Sequence, residues 1–427
     1  MNYTSTKTDP LKAIIVGVHL NQDDHFAYSM KELSNLAKAD NIKVMAELDQ
    51  NLDTFNSKTY LGKGKINEII DLNKQNNLDL LITNDELTGS QIRNIEKITD
   101  LKVLDRTSLI LDIFAQRAKS HQAKIQIQIA QLQYQLPRLR NFNDLQKDQQ
   151  KGIGVNRGSG ETQLELNRRN IQKKISHLKE ELNNLDKINQ TKQTKRNKNN
   201  IPSVALVGYT NSGKSTTLNQ IIKLFNDSNN QKKVFEKNML FATLDTSVRR
   251  ISLNNNNDFI LSDTVGFISK LPHNLIEAFK STLSEAVNAD LLIQVVDYSD
   301  PNFESMIDIT NKVLQSININ KKPMIIALNK ADLVKETYPA TEGNQIIYSA
   351  KDEKSIKLLV QTIENNLFKN KVNTTLLIPF DKGNILNFLK ENESVNNIKY
   401  INTGIKISAK LRPESVNKFK DYIISKK

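Results

Sequence analysis

Gly208-Tyr209-Thr210-Asn211-Ser212-Gly213-Lys214-Ser215-Thr216 decides how the rest of the chain is read. It follows Val204-Ala205-Leu206-Val207, an apolar run of buried-strand character. It precedes Thr217-Leu218-Asn219-Gln220-Ile221-Ile222, which has helical spacing. A strand, a glycine loop carrying Lys and Ser, then a helix is the context of a phosphate-binding loop. Glycines let successive backbone N–H groups turn inward on a polyphosphate, and the helix N-terminus adds partial positive charge. Lys214 is the candidate ligand of the β- and γ-phosphates, and the Ser215 hydroxyl is the candidate ligand of Mg²⁺. An ordinary Gly-rich turn is the alternative, and the flanking strand and helix count against it.

Downstream, further motifs follow in a fixed order. Phe241-Ala242-Thr243-Leu244-Asp245 precedes an expected strand over residues 248–253. A strand over residues 259–262 ends in Asp263-Thr264-Val265-Gly266-Phe267, where Asp263 would hold the Mg²⁺ shell through water. The Gly266 N–H would there meet a γ-phosphate. Apolar strands are expected at residues 291–297 and 323–328, and the second delivers Asn329-Lys330-Ala331-Asp332. That tetrad selects the base. An Asp carboxylate can accept from the N1–H and 2-amino groups of guanine, whereas adenine would leave it unpaired. Asn329 would tie the loop and touch the purine edge, Lys330 would cover the ring, and Ser349-Ala350-Lys351 would offer a backbone N–H to the guanine oxygen. The four elements in order define a guanine-nucleotide domain over residues 202–371. Thr243 is the candidate switch threonine on Mg²⁺, with Thr246 and Ser247 as rivals. Ras-like enzymes carry a Gln after Asp-x-x-Gly to orient water. Here Phe267 stands there, so intrinsic hydrolysis should be slow without a partner. Asn211 occupies the position where some K⁺-stimulated GTPases hold the cation.

Upstream, strands expected at residues 12–18, 43–48, 79–83 and 101–104 alternate with helices near 27–38 and 66–73, which implies a parallel α/β domain over 1–110. From Ser108 the pattern turns helical. Ile125, Ile129, Leu132, Leu136 and Leu139, then Leu164, Ile171, Ile175, Leu178, Leu182 and Leu185, step at heptad-like intervals. They read as an antiparallel helical hairpin over 111–190, with Pro137 as a kink. Its tip is basic and Gly-rich, with Lys147, Lys151 and Arg157, and suits a nucleic-acid groove as well as it suits a solvated loop. Residues 191–201 read as a basic linker, and residues 372–427 as a small α/β domain.

The 427 residues imply two to four domains, and the net charge of +13 points to a polyanionic partner or to a Lys-rich genome. With no cysteine, disulfides and thiolate metal sites are excluded. No apolar run reaches membrane-spanning length, so a cytoplasmic protein without stable membrane insertion is expected.

Taken whole, the chain resembles the HflX family of translation-factor-like GTPases. The resemblance is carried by Tyr60-Leu61-Gly62-Lys63-Gly64-Lys65 and by Leu104-Asp105-Arg106-Thr107 continuing through Leu111-Asp112-Ile113-Phe114-Ala115-Gln116-Arg117-Ala118. Ala130-Gln131-Leu132-Gln133-Tyr134-Gln135-Leu136-Pro137-Arg138-Leu139 and Gly160-Glu161-Thr162-Gln163-Leu164-Glu165 also carry it. Ser247-Val248 departs from the Pro-Thr pair usual in the family. The resemblance implies an α/β fold: a P-loop GTPase domain preceded by an α/β domain with a long helical hairpin and followed by a small α/β domain. It implies GTP/GDP cycling with Mg²⁺ and a monomer. It also implies binding to the large ribosomal subunit and its 23S rRNA through the hairpin tip, splitting or recycling of stalled or idle ribosomes, and a membrane-peripheral fraction. An RNA-remodelling protein or an effector-binding switch is the alternative.

Overall fold

β1 (Leu11–Leu20) is the centre of the first sheet, with six consecutive buried residues. Side chains alternate across it. Ile14, Val16 and Val18 share a core with Ile66 and Ile69 of α2 (Lys63–Asn76) and Ile95 of α3 (Gly89–Thr99). Gly17 is on the opposite face, against α1 (Phe26–Ala39). A Cβ there would come within 2.5 Å of Met30 Sδ and 2.9 Å of the Phe26 ring. With helices on both faces, β1 reads as a continuous apolar run. β2 (Ile42–Leu52), β3 (Leu80–Thr83) and β4 (Lys102–Asp105) complete a parallel sheet of order β2-β1-β3-β4.

The computed structural model describes residues 10–21, 25–139, 163–198, 201–225, 241, 247–253, 257–270, 272, 283–319, 322–334 and 337–426. The chain divides into two units. The first is Met1–Thr191 with Lys237–Asp245 and Ile268–Ser281, and the second is Lys192–Glu236 with Thr246–Phe267 and Thr282–Lys427. Among the described residues no helix is long and apolar enough to cross a membrane.

Three helices of the first unit refine the expectations. The reading of residues 1–110 contains no helix at α3, although Thr88 and Gln91 form a reciprocal capping box at its start. α4 (Arg106–Arg117) begins at Asp105, whose carboxylate accepts from Ser108 N at 2.8 Å. Ile110, Leu111, Ile113 and Phe114 of α4 are buried, so the boundary expected after residue 110 falls inside a packed helix. α5 (His121–Leu139) and α6 (Gln163–Lys198) form the expected pair. Ile125 and Ile129 pack with Ile175 and Leu178. His121 meets Glu181 at 2.8 Å and Gln122 meets Asp186 at 2.9 Å, which makes the pair antiparallel. Of the linker expected over 191–201, residues 191–198 are helical and form the end of α6. The stretch lacks apolar residues, but its Lys, Gln and Arg are adequate helix formers and it holds no Gly or Pro. The tip residues Lys147, Lys151 and Arg157 lie outside the described residues.

The second unit is built on a seven-stranded sheet of order β10-β11-β9-β8-β5-β7-β6. The strands are β5 (Ser203–Val207), β6 (Ser247–Ile251), β7 (Phe259–Asp263), β8 (Leu291–Asp297), β9 (Met324–Asn329), β10 (Ala340–Glu342) and β11 (Gln345–Ile347). Pairing is parallel except at β6 against β7 and β10 against β11. α7 (Lys214–Phe225) and α10 (Glu353–Leu367) pack Leu218, Ile221, Leu359 and Ile363 into its core, while α8 (Ser284–Asn288) and α9 (Phe303–Ser316) flank the sheet. The tail is an antiparallel sheet of β12 (Val372–Ile378), β13 (Ser394–Ile401), β14 (Gly404–Leu411) and β15 (Ile423–Lys426), in the order β13-β14-β12-β15. α11 (Gly383–Asn392) and α12 (Pro413–Lys418) accompany it. β15 and α12 carry no signal that the sequence reading used.

Gly17→Ala should destabilise the first unit by about 1–3 kcal/mol, because the new methyl overpacks against Phe26 and Met30. A lowered melting temperature with unchanged nucleotide affinity is the expected result.

Candidate nucleotide site

The phosphate loop leaves β5 at Gly208 and enters α7 at Lys214. Two glycines are required by space. Gly208 has φ +140°, and a Cβ there would lie 2.2 Å from Val295 O. Gly213 has φ +97°, and a Cβ would lie 2.1 Å from Asn329 Nδ2. That nitrogen donates to Ser212 O at 2.8 Å, while Asn329 Oδ1 accepts from Ala350 N at 2.9 Å. Asn329 is 2% exposed and joins the phosphate loop to the loop after β11. The hydroxyls of Thr210 and Ser212 are buried with no hydrogen-bond partner among the described residues. Leaving a buried hydroxyl unmet costs about 1–3 kcal/mol, which the oxygens of a polyphosphate would relieve. Asn211 is exposed and sits at φ +61°.

Ser215 Oγ donates to Asp263 Oδ2 at 2.6 Å, so these two expected participants meet at the end of β7. Thr264 is tied to Leu206 O at 2.7 Å, and Val265 is buried. Gly266 faces Thr210 and Lys214: a Cβ there would lie 2.8 Å from Thr210 Cα and 3.0 Å from Lys214 Nζ. Phe267 then pairs with the phosphate loop through its backbone. Its N–H donates to Gly208 O at 3.1 Å, and its carbonyl accepts from Thr210 N at 2.8 Å. The isolated bridge of Tyr209 with Phe267 records the same pairing. The Phe267 ring is 3% exposed. Sequence reasoning saw in Phe267 only a missing Gln. Its backbone role had no signal, because any residue can make such bonds.

The base-side motif is ordered as expected. Lys330, at φ +67°, extends its ammonium to Asp297 Oδ2 at 2.6 Å, which holds its stem in place. Asp332 accepts from Ser349 Oγ at 2.8 Å and from Lys351 Nζ at 3.3 Å. Burial works against the Asp332 carboxylate, but Ser349 and Lys351 outweigh it, and the group is held below the usual carboxylate range. It is therefore an ionised acceptor at neutral pH. Ala331 N donates to Tyr348 O at 3.2 Å. The Ala350 N–H is committed to Asn329, whereas the Lys351 N–H rests on Ser349 Oγ at 3.3 Å. The second bond is long, so Lys351 N is the better donor to a base oxygen. Thr217 Oγ1 and Tyr348 OH, 2.8 Å apart and absent from the sequence reading, lock α7 to the same loop.

Ala242, Thr243, Leu244 and Asp245 lie outside the described residues. Phe241 is described in the first unit, where its buried ring packs edge-on to Phe114 with centroids 4.4 Å apart.

Lys214 is buried and donates to Gly208 O at 3.1 Å and Tyr209 O at 2.7 Å. Burial lowers its pKa from 10.5 to about 8, with Asp263 opposing the shift. In the nucleotide-free protein the ammonium therefore loses its proton as pH rises through about 8. Phosphates would restore its affinity for the proton, so binding should take up a proton above that pH. GDP affinity is expected to be flat below about pH 8 and to fall by about tenfold by pH 9. Titration calorimetry in two buffers of different ionisation enthalpy measures the proton, and Lys214→Arg should abolish the dependence.

Comparison with known proteins bears on this geometry. Residues 27–115 match the family described as "GTP-binding GTPase N-terminal", residues 117–196 "GTP-binding GTPase Middle Region", and residues 203–330 "50S ribosome-binding GTPase". The chain is 39% identical over 98% of its length to GTPase HflX of Caldanaerobacter subterraneus, covering 95% of that protein. It is 34% identical to GTPase HflX of Escherichia coli, over 88% of this chain and 87% of the relative. A solved GTP-binding protein from Sulfolobus solfataricus in complex with GDP aligns over 84% of this chain and 100% of its own, at 26% identity and a TM-score of 0.43. The chain therefore belongs to the HflX family of GTPases, which bind GTP and hydrolyse it.

Proposed function

We propose that this GTPase acts on ribosomes: bound to GTP it associates with the large subunit and its 23S rRNA, splits or recycles stalled or idle particles, and is released on hydrolysis. The observation that carries the reading is Phe267. Its ring is buried and its backbone is bonded to the phosphate loop, so no side chain at that position can orient the attacking water. Such a GTPase waits for a partner to complete the reaction. The description of residues 203–330 as a 50S ribosome-binding GTPase and the antiparallel pair α5/α6, whose connecting sequence contains Lys147, Lys151 and Arg157, support the large subunit as that partner.

In this reading the loop of residues 208–216 cradles the phosphates, Lys214 and the Gly266 N–H meet the γ-phosphate, and Asp332 selects guanine. Ser215 and Thr243 would hold Mg²⁺. The Ser215 hydroxyl already stands against Asp263, and this hard-oxygen surrounding suits that ion. Mg²⁺ would supply charge neutralisation at the phosphates. Asn211 is proposed to face a K⁺ ion.

Purified large subunits should raise the GTPase rate by at least about tenfold, and an unchanged rate would count against the reading. Sucrose gradients with a non-hydrolysable analogue should then show more free subunits. Replacing Lys147, Lys151 and Arg157 together by Glu should weaken subunit binding, with GDP affinity retained. Equal hydrolysis rates in KCl and NaCl would remove the K⁺ assignment.

A further inference from the structure

The tail module presents a face that nucleotide chemistry does not use. Its elements run β12-α11-β13-β14-α12-β15, and its sheet has the order β13-β14-β12-β15 with every pair antiparallel. This is the split βαβ arrangement. Its helices share one face of the sheet. Leu376 and Ile378 of β12 and Ile405, Ile407 and Ala409 of β14 form a core with Leu389 of α11 and Val416 of α12. Successive side chains alternate across a strand, so Lys406, Ser408 and Lys410 stand on the other face of β14. The register sets Lys399 of β13 directly opposite Lys406, and Asn397 opposite Ser408. Asn373 of β12 lies opposite Lys410.

Lys399, Lys406 and Lys410 are exposed, and among the described residues none is paired with a carboxylate. No Asp or Glu occurs in any of the four strands, although the chain carries 47 acidic residues against 60 Lys and Arg. A general excess of lysine does not by itself exclude acids from one sheet. Lysines on an edge strand block pairing with other chains. That accounts for Lys399, since β13 is an edge. It does not account for Lys406 and Lys410, since β14 has a neighbour on each side. Like charges directly opposite one another destabilise an antiparallel pair. Lys399 and Lys406 form such a pair, and an anion lying across them would relieve the repulsion. Lys406 and Lys410 are about 13 Å apart along β14, so the charge forms a strip rather than a point.

We propose that this open, basic face of the tail sheet binds the phosphate backbone of a single RNA strand without reading its sequence. An acidic protein would need an aromatic or apolar anchor at the centre of the patch. The central positions here are Lys406, Ser408 and Thr375, and no aromatic residue stands on this face of β12, β13 or β14. Lys, Ser, Thr and Asn are the side chains that donate to phosphate and sugar oxygens. Without aromatic rings the face cannot stack bases, which leaves the backbone as its target. The contact lies in the second unit and is separate from the α5/α6 pair. It rests on the ribosomal reading only for which RNA is met, so it is tested without ribosomes.

Fluorescence anisotropy of the full chain with a labelled oligouridylate, titrated at several KCl concentrations, makes the test. The triple variant Lys399→Gln, Lys406→Gln, Lys410→Gln should weaken binding by about tenfold or more at low salt. It should also reduce the slope of log affinity against log salt by about 2. GDP affinity should be unchanged and the melting temperature no lower, since a like-charge pair has been removed. A second triple variant, Lys354→Gln, Lys357→Gln, Lys369→Gln, removes the same charge from other exposed positions of the same unit and should bind RNA as the parental chain does. Parental binding in the first variant, or equal losses in both, would overturn the proposal, the latter leaving bulk charge alone. Polyglutamate that displaces the oligouridylate at equal charge concentration would make the partner an acidic protein and overturn it too. Loss of oligouridylate binding in the first variant alone, in a chain whose GTPase rate large subunits leave unchanged, would uphold this face and remove the ribosomal reading.

Discussion

Asn329 is the group on which the nucleotide site depends. It ends β9, and its amide is spent in two directions, on Ser212 O of the phosphate loop and on Ala350 N of the loop after β11. A buried amide satisfied at both ends fixes the separation of the groups it joins. The phosphate-reading and base-reading loops lie 117 positions apart where Ser212 meets Asn329, yet one side chain sets their spacing. Gly213 is the condition for this, since any Cβ would displace the Asn329 nitrogen. Thr217 with Tyr348 makes a second tie between the same regions.

Three buried cations are handled in three ways, and each treatment fits its place. Lys371 donates to Asn257 at 2.7 Å and Ser394 at 3.1 Å, near Glu393, which also takes Arg412 at 3.1 Å. Burial lowers its pKa and Glu393 opposes that, so the cluster is a junction where the tail module meets the nucleotide-binding sheet. Arg106 has a full countercharge in Glu32 and spends further donors on Asn84, Ser29 and Ser269. Lys214 has backbone carbonyls as its bonded partners and, among the described residues, Asp263 as its counter-charge, and burial lowers its pKa to about 8. The cation with the least internal compensation is the one in the phosphate loop, where a ligand's charge would supply the rest.

Much of this was legible in the sequence. The parallel strands of both sheets, the order of the nucleotide motifs and the apolar seam of the α5/α6 pair all follow from periodicity and from residues with special backbone demands. What the sequence left out has physical reasons. Residues 189–198 lack apolar side chains, which argues against a core but not against a helix, and α6 continues through them. The helix α3 was announced by Thr88 and Gln91, a capping pattern spaced over so few residues that it is easily passed over. Phe241 is expected at the nucleotide from its neighbours in sequence, and the packing of its ring on Phe114 is a contact that no local pattern announces.

The sequence by itself determined that this is a guanine-nucleotide enzyme of the HflX family, because that chemistry needs particular residue types at short, fixed spacings. Only the tertiary structure decided what those residues lean on. Asn329 meets Ser212 across 117 positions, and Ser269 meets Arg106 across 163. Contacts between residues so far apart leave no periodic trace. They arise from how sheets and helices bring chain ends together, and from the requirement that a buried charge or amide find its partners wherever the fold puts them.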